Sequence, residues 1–412
     1  MVRLTRVQQQ ERTRAAVLAA AAEEFARYGY ADAKVDRIAD RAELTRGAVY
    51  SNFASKRSLY LAVLLDSLPA VAPGGAEALG ETVEGALSGV DRPVANTAGG
   101  AVGRTLGGAV EGAVGEAGGA AAAAEPADLA AGAEAFARIW LERLPLSGDA
   151  PAAGQLASRS VTGVFDDEPG RTALAEIMRL ESVLLALALE SGRSPRAGRR
   201  VRLAELILTL VHGAAHLAQT APGFGDPFDV VRACRQLAGL DVEDTWNPPH
   251  LPHIRAAASA HDAWTPPVGL IDEVTGRPAD LAGDGLLVVL GSGRLSATEE
   301  AVRAARPPDV VTVAVVTTDP AETGALVRLR IVDLAGCLRR AFGPAFSPPL
   351  RVIVDDQGRL ASAMGTEATE DTEAAVRLRA GHIVARAHGR GAAHAAATAP
   401  VRAQPQPGSG KP

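Results

Sequence analysis

Cysteine is nearly missing: only Cys234 and Cys337 occur in 412 residues. They lie far apart with no CxxC, so neither a disulfide framework nor a cysteine-based zinc site follows from them. A reducing cytoplasm is the expected compartment. Aromatic residues make up 4% of the chain. Alanine and glycine are abundant instead, a composition suited to helices packed at close range. No uncharged apolar run reaches the ~18 residues that a membrane-spanning helix needs. The N-terminus, MVRLTRVQQQERTR, is too polar and charged for a signal peptide, and no membrane partner is expected. Positive charge is not in excess either. A net charge of −6 argues against indiscriminate coating of nucleic acid, yet permits a small basic reading head on an acidic body.

What is present is a chain long enough for two to three domains. One window stands out: from Leu44 to Leu65 (LTRGAVYSNFASKRSLYLAVLL) there are basic residues and no acid. Around it, residues 10–66 alternate short helical stripes with tight turns. Val17, Leu18, Ala21, Ala22, Phe25 and Tyr28 recur at helical spacing, and Gly29 follows as a C-terminal stop. Val35, Ile38, Ala39 and Ala42 form a second stripe. Thr45 and Ser55 are positioned to cap a third and a fourth helix.

A short helix, a tight turn and a second short helix form a helix-turn-helix, whose second helix enters the major groove by its N-terminal end. Phosphates flank that end, so carboxylates are unfavourable there. Gly47 lets the backbone approach the bases, at some cost in helix propensity. Arg46 and Tyr50, four apart, share one face. Arg46 can reach guanine edges and the Tyr50 hydroxyl a phosphate. Lys56 adds charge to the free N–H groups that start the fourth helix.

These residues carry a resemblance. VDRIADRAELTRGAVYSNFASKRSLYLAVL looks like the N-terminal domain of the TetR/AcrR family of bacterial transcriptional repressors. The IA…A, T-x-G-x-x-Y-x-x-F and SK-x-x-L elements appear in order at the family's spacing. By that resemblance Thr45, Arg46, Gly47, Tyr50, Asn52 and Lys56 occupy DNA-contacting positions. The partners implied are double-stranded DNA with a palindromic operator, a small-molecule effector that releases it, and a second copy of the chain in a homodimer. Two departures are visible. Glu43 stands where the turn usually has glycine, which makes a left-handed backbone costly. Lys34 replaces the usual Ser or Thr cap of the second helix.

Residues 69–133 are a Gly/Ala-rich segment read as a low-complexity linker or insertion. Residues 134–244 return to helical periodicity and fit, in size and pattern, the effector-binding and dimerisation domain that the resemblance implies. There Leu203, Leu206, Ile207, Leu210, Val211, Ala214 and Leu217 make a face broad enough for more than one partner helix. His212 and His216 lie four apart, but no third ligand is evident. They are read as packing or interface residues rather than a metal site. Residues 245–267 are a Pro/His-rich linker and 391–412 a disordered tail.

Residues 268–390 alternate strands and helices. GLLVVLG and VVTVAVV read as strands, SATEEAVRAAR and DLAGCLRRAFG as helices, and RVIVDDQGRLASAM as strand, turn, strand. The order resembles a thioredoxin-like fold, with Pro349 as its cis-proline. Gly291-Ser292-Gly293 then stands where the redox cysteines would be, and a shallow site beside Pro349 remains for a ligand. The G-x-G there lacks its third glycine, so a nucleotide loop is weakly supported. The fold class expected is therefore multidomain: an all-α TetR-like part followed by a small α/β thioredoxin-like domain. The function expected is transcriptional regulation without enzymatic turnover, cofactor or metal. The alternative is a thiol oxidoreductase or nucleotide-using enzyme that carries a DNA-binding head.

Overall fold

The computed structural model describes residues 5–68, 128–144, 150–191, 198–343 and 346–400. Most of the Gly/Ala-rich segment lies outside the described residues. Its last residues, 128–133, begin a capped helix instead.

The head comprises α1 (Arg6–Asp32), α2 (Val35–Arg41), α3 (Arg46–Asn52) and α4 (Lys56–Asp66). Gly29 departs from helical geometry within α1 (φ 71°), as a C-terminal glycine does. Val17, Ala21, Phe25, Ile38, Val49 and Leu59 form the core of the head. Phe25 meets Tyr60 edge-on at 4.9 Å between ring centroids.

The body comprises α5 (Leu129–Leu141), α6 (Pro151–Ala157), α7 (Glu168–Glu190), α8 (Val201–Thr220) and α9 (Pro227–Leu237). Asp128 and Asp167 cap α5 and α7 by accepting N–H groups of Ala130 and Gly170. The apolar face of α8 is divided. Leu203, Ile207 and Val211 are buried, whereas Leu206 and Leu217 are 44% and 38% exposed. By length and composition α8 could cross a membrane. However, its inner face lies in the core and its Arg202 pairs with Glu205 and Glu299.

The α/β part comprises β1 (Ala258–Ala263), β2 (Ile271–Asp272), β3 (Arg277–Pro278), β4 (Gly285–Gly291), α10 (Ala297–Ala304), β5 (Val310–Val316), α11 (Ala325–Phe342), β6 (Leu350–Val354), α12 (Arg359–Met364), β7 (Glu373–Arg379), β8 (His382–His388) and α13 (Ala392–Thr398). The six-stranded sheet has the order β1-β8-β7-β4-β5-β6. β4, β5 and β6 run parallel, and β7 and β8 form an antiparallel pair beside β4. β4 is buried along its whole length, as a parallel strand covered on both faces requires.

Four readings of the sequence need correction. Residues 258–263, placed in a linker, form β1 and pair with β8. RLASAM is α12 rather than a strand, because the Asp355 carboxylate accepts the N–H groups of Arg359 and Leu360 at 2.9 and 2.8 Å and so caps a helix. Residues 392–398, placed in a disordered tail, are a helix whose alanines are small enough to pack closely on β7 and β8. Residues 401–412 lie outside the described residues. Finally, Pro349 is not the cis-proline. The cis peptide bond among the described residues joins Pro307 to Pro308.

Nor is the α/β part merely appended. α11 packs against α4, α5 and α7. Its Arg330 meets Glu181 at 2.7 Å, and its Asp333 meets Arg143 and Arg159. Gly132 of α5 allows this close approach, since a Cβ there would lie 2.8 Å from the Phe342 ring. One buried cluster therefore runs from Val17 through Phe136 and Leu184 to Leu334 and Val313.

Candidate nucleic-acid interface

α3 starts where Thr45 accepts the Ala48 N–H at 3.2 Å, and α4 where Ser55 and Ser58 form a reciprocal capping box. Glu43 adopts the left-handed backbone (φ 56°) for which glycine is better suited. Lys34 makes no side-chain cap for α2. The missing cap comes from elsewhere: Glu24 of α1, fully buried, accepts the Lys34 N–H at 3.0 Å and the Arg37 Nε–H at 2.6 Å. Burial pushes the Glu24 carboxyl up, but the hydrogen bonds from Arg37 and Lys34 and the charges of Arg37 and Arg41 outweigh it and hold it low. An acid on the apolar stripe of α1 was the available signal.

Of the six expected contact residues, Arg46, Gly47 and Tyr50 face solvent together. The Arg46 guanidinium lies 5.6 Å from the Tyr50 ring centroid. A Cβ on Gly47 would meet nothing closer than the Thr45 hydroxyl at 3.9 Å, so packing does not require glycine there. Asn52 is half-buried and donates to the Ala48 carbonyl at 2.8 Å. Lys56 turns back, donating to the Ala31 carbonyl at 3.0 Å across the Tyr30 ring, and burial lowers its pKa. Arg14, which the sequence reading passed over, adds a cation at this edge. It donates to the Asn52 carbonyl and lies 4.4 Å from the Phe53 ring centroid.

Residues 17–63 match the family model described as bacterial regulatory proteins, tetR family. The head is a TetR-family helix-turn-helix. Over 71 residues the chain is 41% identical to the HTH-type transcriptional activator FasR of Mycolicibacterium smegmatis. That stretch covers 17% of this chain and 32% of the relative, so the match spans about a third of the relative's length. No solved structure matches the chain significantly.

Behind the TetR-family head, the other expected residues separate. His212 packs edge-on against Trp140, with its Nε2 3.1 Å from Arg330. Burial first, then the charges of Arg330 and Arg143, hold its pKa well below the usual value. His216 is exposed. Among the described residues no cluster of three His, Cys, Asp or Glu could hold a metal ion. Cys337 is 7% exposed and burial pushes its thiol up; burial pushes Cys234 up to about 11.

Gly291-Ser292-Gly293 ends β4 beneath a loop, with Gly291 and Gly293 donating to the carbonyls of Thr372 and Glu370. A Cβ at Gly291 would lie 2.2 Å from two backbone oxygens, so glycine is required by that loop's approach. Pro349 lies at the opposite end of the sheet, where its carbonyl accepts the Val311 N–H. The length of β4, about 20 Å, separates them, so Pro349 does not lie beside the Gly291-Ser292-Gly293 segment. At the carboxyl end of β6 is a polar cleft of about 260 Å³, lined by Leu270, Glu273, Arg328, Asp355 and Asp356 among others.

Proposed function

We propose that this chain is a dimeric, sequence-specific DNA-binding transcriptional regulator. The observation that carries the reading is the exposed Arg46–Gly47–Tyr50 face of α3 on a TetR-family head, within a window free of acids. Arg46 reads guanine edges, the Tyr50 hydroxyl and Lys56 hold phosphates, and Thr45 and Asn52 fix the ends of the reading helix. The dimer forms through α8 and α9. Leu206 and Leu217 there, with Phe224 at 72% and Phe228 at 68% exposure, make an apolar surface that a second copy would cover. Two heads on a two-fold axis require inverted half-sites, hence a palindromic operator. Repression by occupying that operator is the mode proposed, with release by a small-molecule effector. The relative's name says activator, and a reporter fused to the bound promoter separates the two modes.

The α/β part is read as thioredoxin-like in arrangement and non-catalytic. Three parallel strands, β4, β5 and β6, beside the antiparallel pair β7 and β8 support the arrangement. The buried Cys337 and the Gly-Ser-Gly segment support the absence of redox turnover, because disulfide exchange needs an accessible thiolate. A cytoplasmic location follows from this role. Footprinting and gel shifts of the full chain on its own upstream DNA test the proposal. Protection of an inverted repeat is expected. Equal affinity for that DNA and for random duplex overturns it.

A further inference from the structure

Three consecutive residues at the start of α4 are all bound to the protein itself. The Ser55 hydroxyl donates to Glu322 at 2.5 Å. Arg57 donates to the other oxygen of Glu322 at 3.0 Å and to Asp167 at 2.6 Å. Lys56, between them, is folded onto the Ala31 carbonyl. Glu322 belongs to the α/β part, more than 250 residues along the chain. It sits in a wide helical turn, Pro320–Gly324, closed by the Gly324 N–H on the Asp319 carbonyl and by the Glu322 N–H on the Asp319 side chain. Such five-residue-wide turns recur at functional sites. The turn runs directly into α11, which is anchored in the body by Arg330 and Asp333.

We infer that Glu322 is a positioning residue for the reading head. It latches the first turn of α4 to the α/β part and holds the head in a form with low affinity for DNA. A carboxylate at a helix N-terminus is electrostatically favourable and its charge-assisted bond to Arg57 is strong, so the latch stays closed in the free protein. The same charge opposes a phosphate approaching that end of α4, where Lys56 is held on the Ala31 carbonyl. DNA engagement therefore requires Glu322 to release Ser55 and Arg57. Displacement of the 320–324 turn therefore raises affinity.

This inference rests on the DNA-binding reading, and the test keeps the two apart. Full-length wild type, Glu322→Gln, Glu322→Asp and, as a charge control far from α4 in sequence, Asp371→Asn are compared. Their affinities for footprinted and random duplexes are measured at fixed salt, with melting curves and DNA-free hydrogen exchange of residues 56–59. Glu322→Gln and the shortened Glu322→Asp are each expected to bind the footprinted DNA roughly 3–10-fold tighter, an electrostatic and orientational gain of ordinary size. Both should speed exchange in the first turn of α4, and Asp371→Asn should change neither. Unchanged or weaker binding by folded Glu322 variants overturns the latch, and so does tightening by Glu322→Gln without Glu322→Asp, which would be bulk charge alone. If wild type prefers no duplex, the DNA-binding reading fails, and unchanged exchange in the variants independently overturns the latch.

Discussion

One guanidinium nitrogen of Arg46 stands 3.3 Å from each carboxylate oxygen of Asp36, across the turn of the helix-turn-helix. Both side chains are more than half exposed, so the pair contributes little to stability. Its effect is on the free head, where it occupies the group proposed to read a base. Asp36→Asn is expected to tighten binding to all duplexes by a factor of up to about five, the value of an exposed pair. Arg46→Ala is expected to weaken operator binding and relax preference at one base pair by about 1–3 kcal/mol. Competition titrations with single-base operator variants check this. A loss that is uniform across the variants would make Arg46 a phosphate contact.

The two-sided character of α8 gives a prediction about assembly. Leu206 and Phe228 are exposed on adjacent helices that otherwise pack with the body. Replacing both by arginine should leave the melting temperature close to wild type and yield monomers in sedimentation. Affinity for a palindrome should fall toward that for a single half-site. Dimers that persist with both charges in place would move the interface away from this face.

Parts of this molecule were legible because their causes are local. Thr45 and Ser55 cap their helices through atoms three residues away, and the β-branched run Val310–Val316 is a strand by its own composition. The shared exposed face of Arg46 and Tyr50 followed from their spacing of four. What escaped notice depends on distant partners. Nothing near Glu322 in sequence indicates that it meets Ser55 and Arg57. The α11 stripe could be read as helix, but not that its charged face would insert among Glu181, Arg143 and Arg159. α12 was misjudged because a strand-like apolar beat conceals a cap, Asp355, that lies before the turn. α13 was misjudged because alanine-rich sequence reads as low complexity when the surface it packs on is unknown.

The Glu181–Arg330 pair joins α7 to α11 in the interior, with Glu181 fully buried. Removing one partner leaves an uncompensated buried charge. Glu181→Leu alone is therefore expected to destabilise the protein by about 3–5 kcal/mol. Glu181→Leu with Arg330→Met restores an apolar contact and should recover most of that loss. Denaturant melts of the two single variants and the double variant form the cycle. Losses that simply add would show that the two charges do not depend on each other.

A second buried acid gives the protein a pH dependence whose sign can be worked out. Glu300 is 6% exposed, and its oxygen lies 2.8 Å from the His250 ring nitrogen. Burial first, then the charge of Glu373, push its carboxyl up to about 7, although Arg294 and Arg390 pull the other way. For His250, burial and the nearby Arg390 hold the imidazole below its usual range, so this pair is not a simple ion pair. A carboxyl whose folded pKa lies above its unfolded value binds more protons in the native state between the two. Its contribution is thus favourable at low pH and is lost as pH rises from about 4.5 through about 7. The full loss is about 3 kcal/mol for a shift of that size. Glu300→Gln, neutral at every pH and similar in shape, should match wild type near pH 4 and be more stable by about 2–3 kcal/mol at pH 8. His250 lies against Glu300, so their titrations are coupled and the difference between the two curves reports the pair. Parallel stability curves from pH 4 to pH 8 would mean that Glu300 ionises as freely in the folded protein as in the unfolded chain.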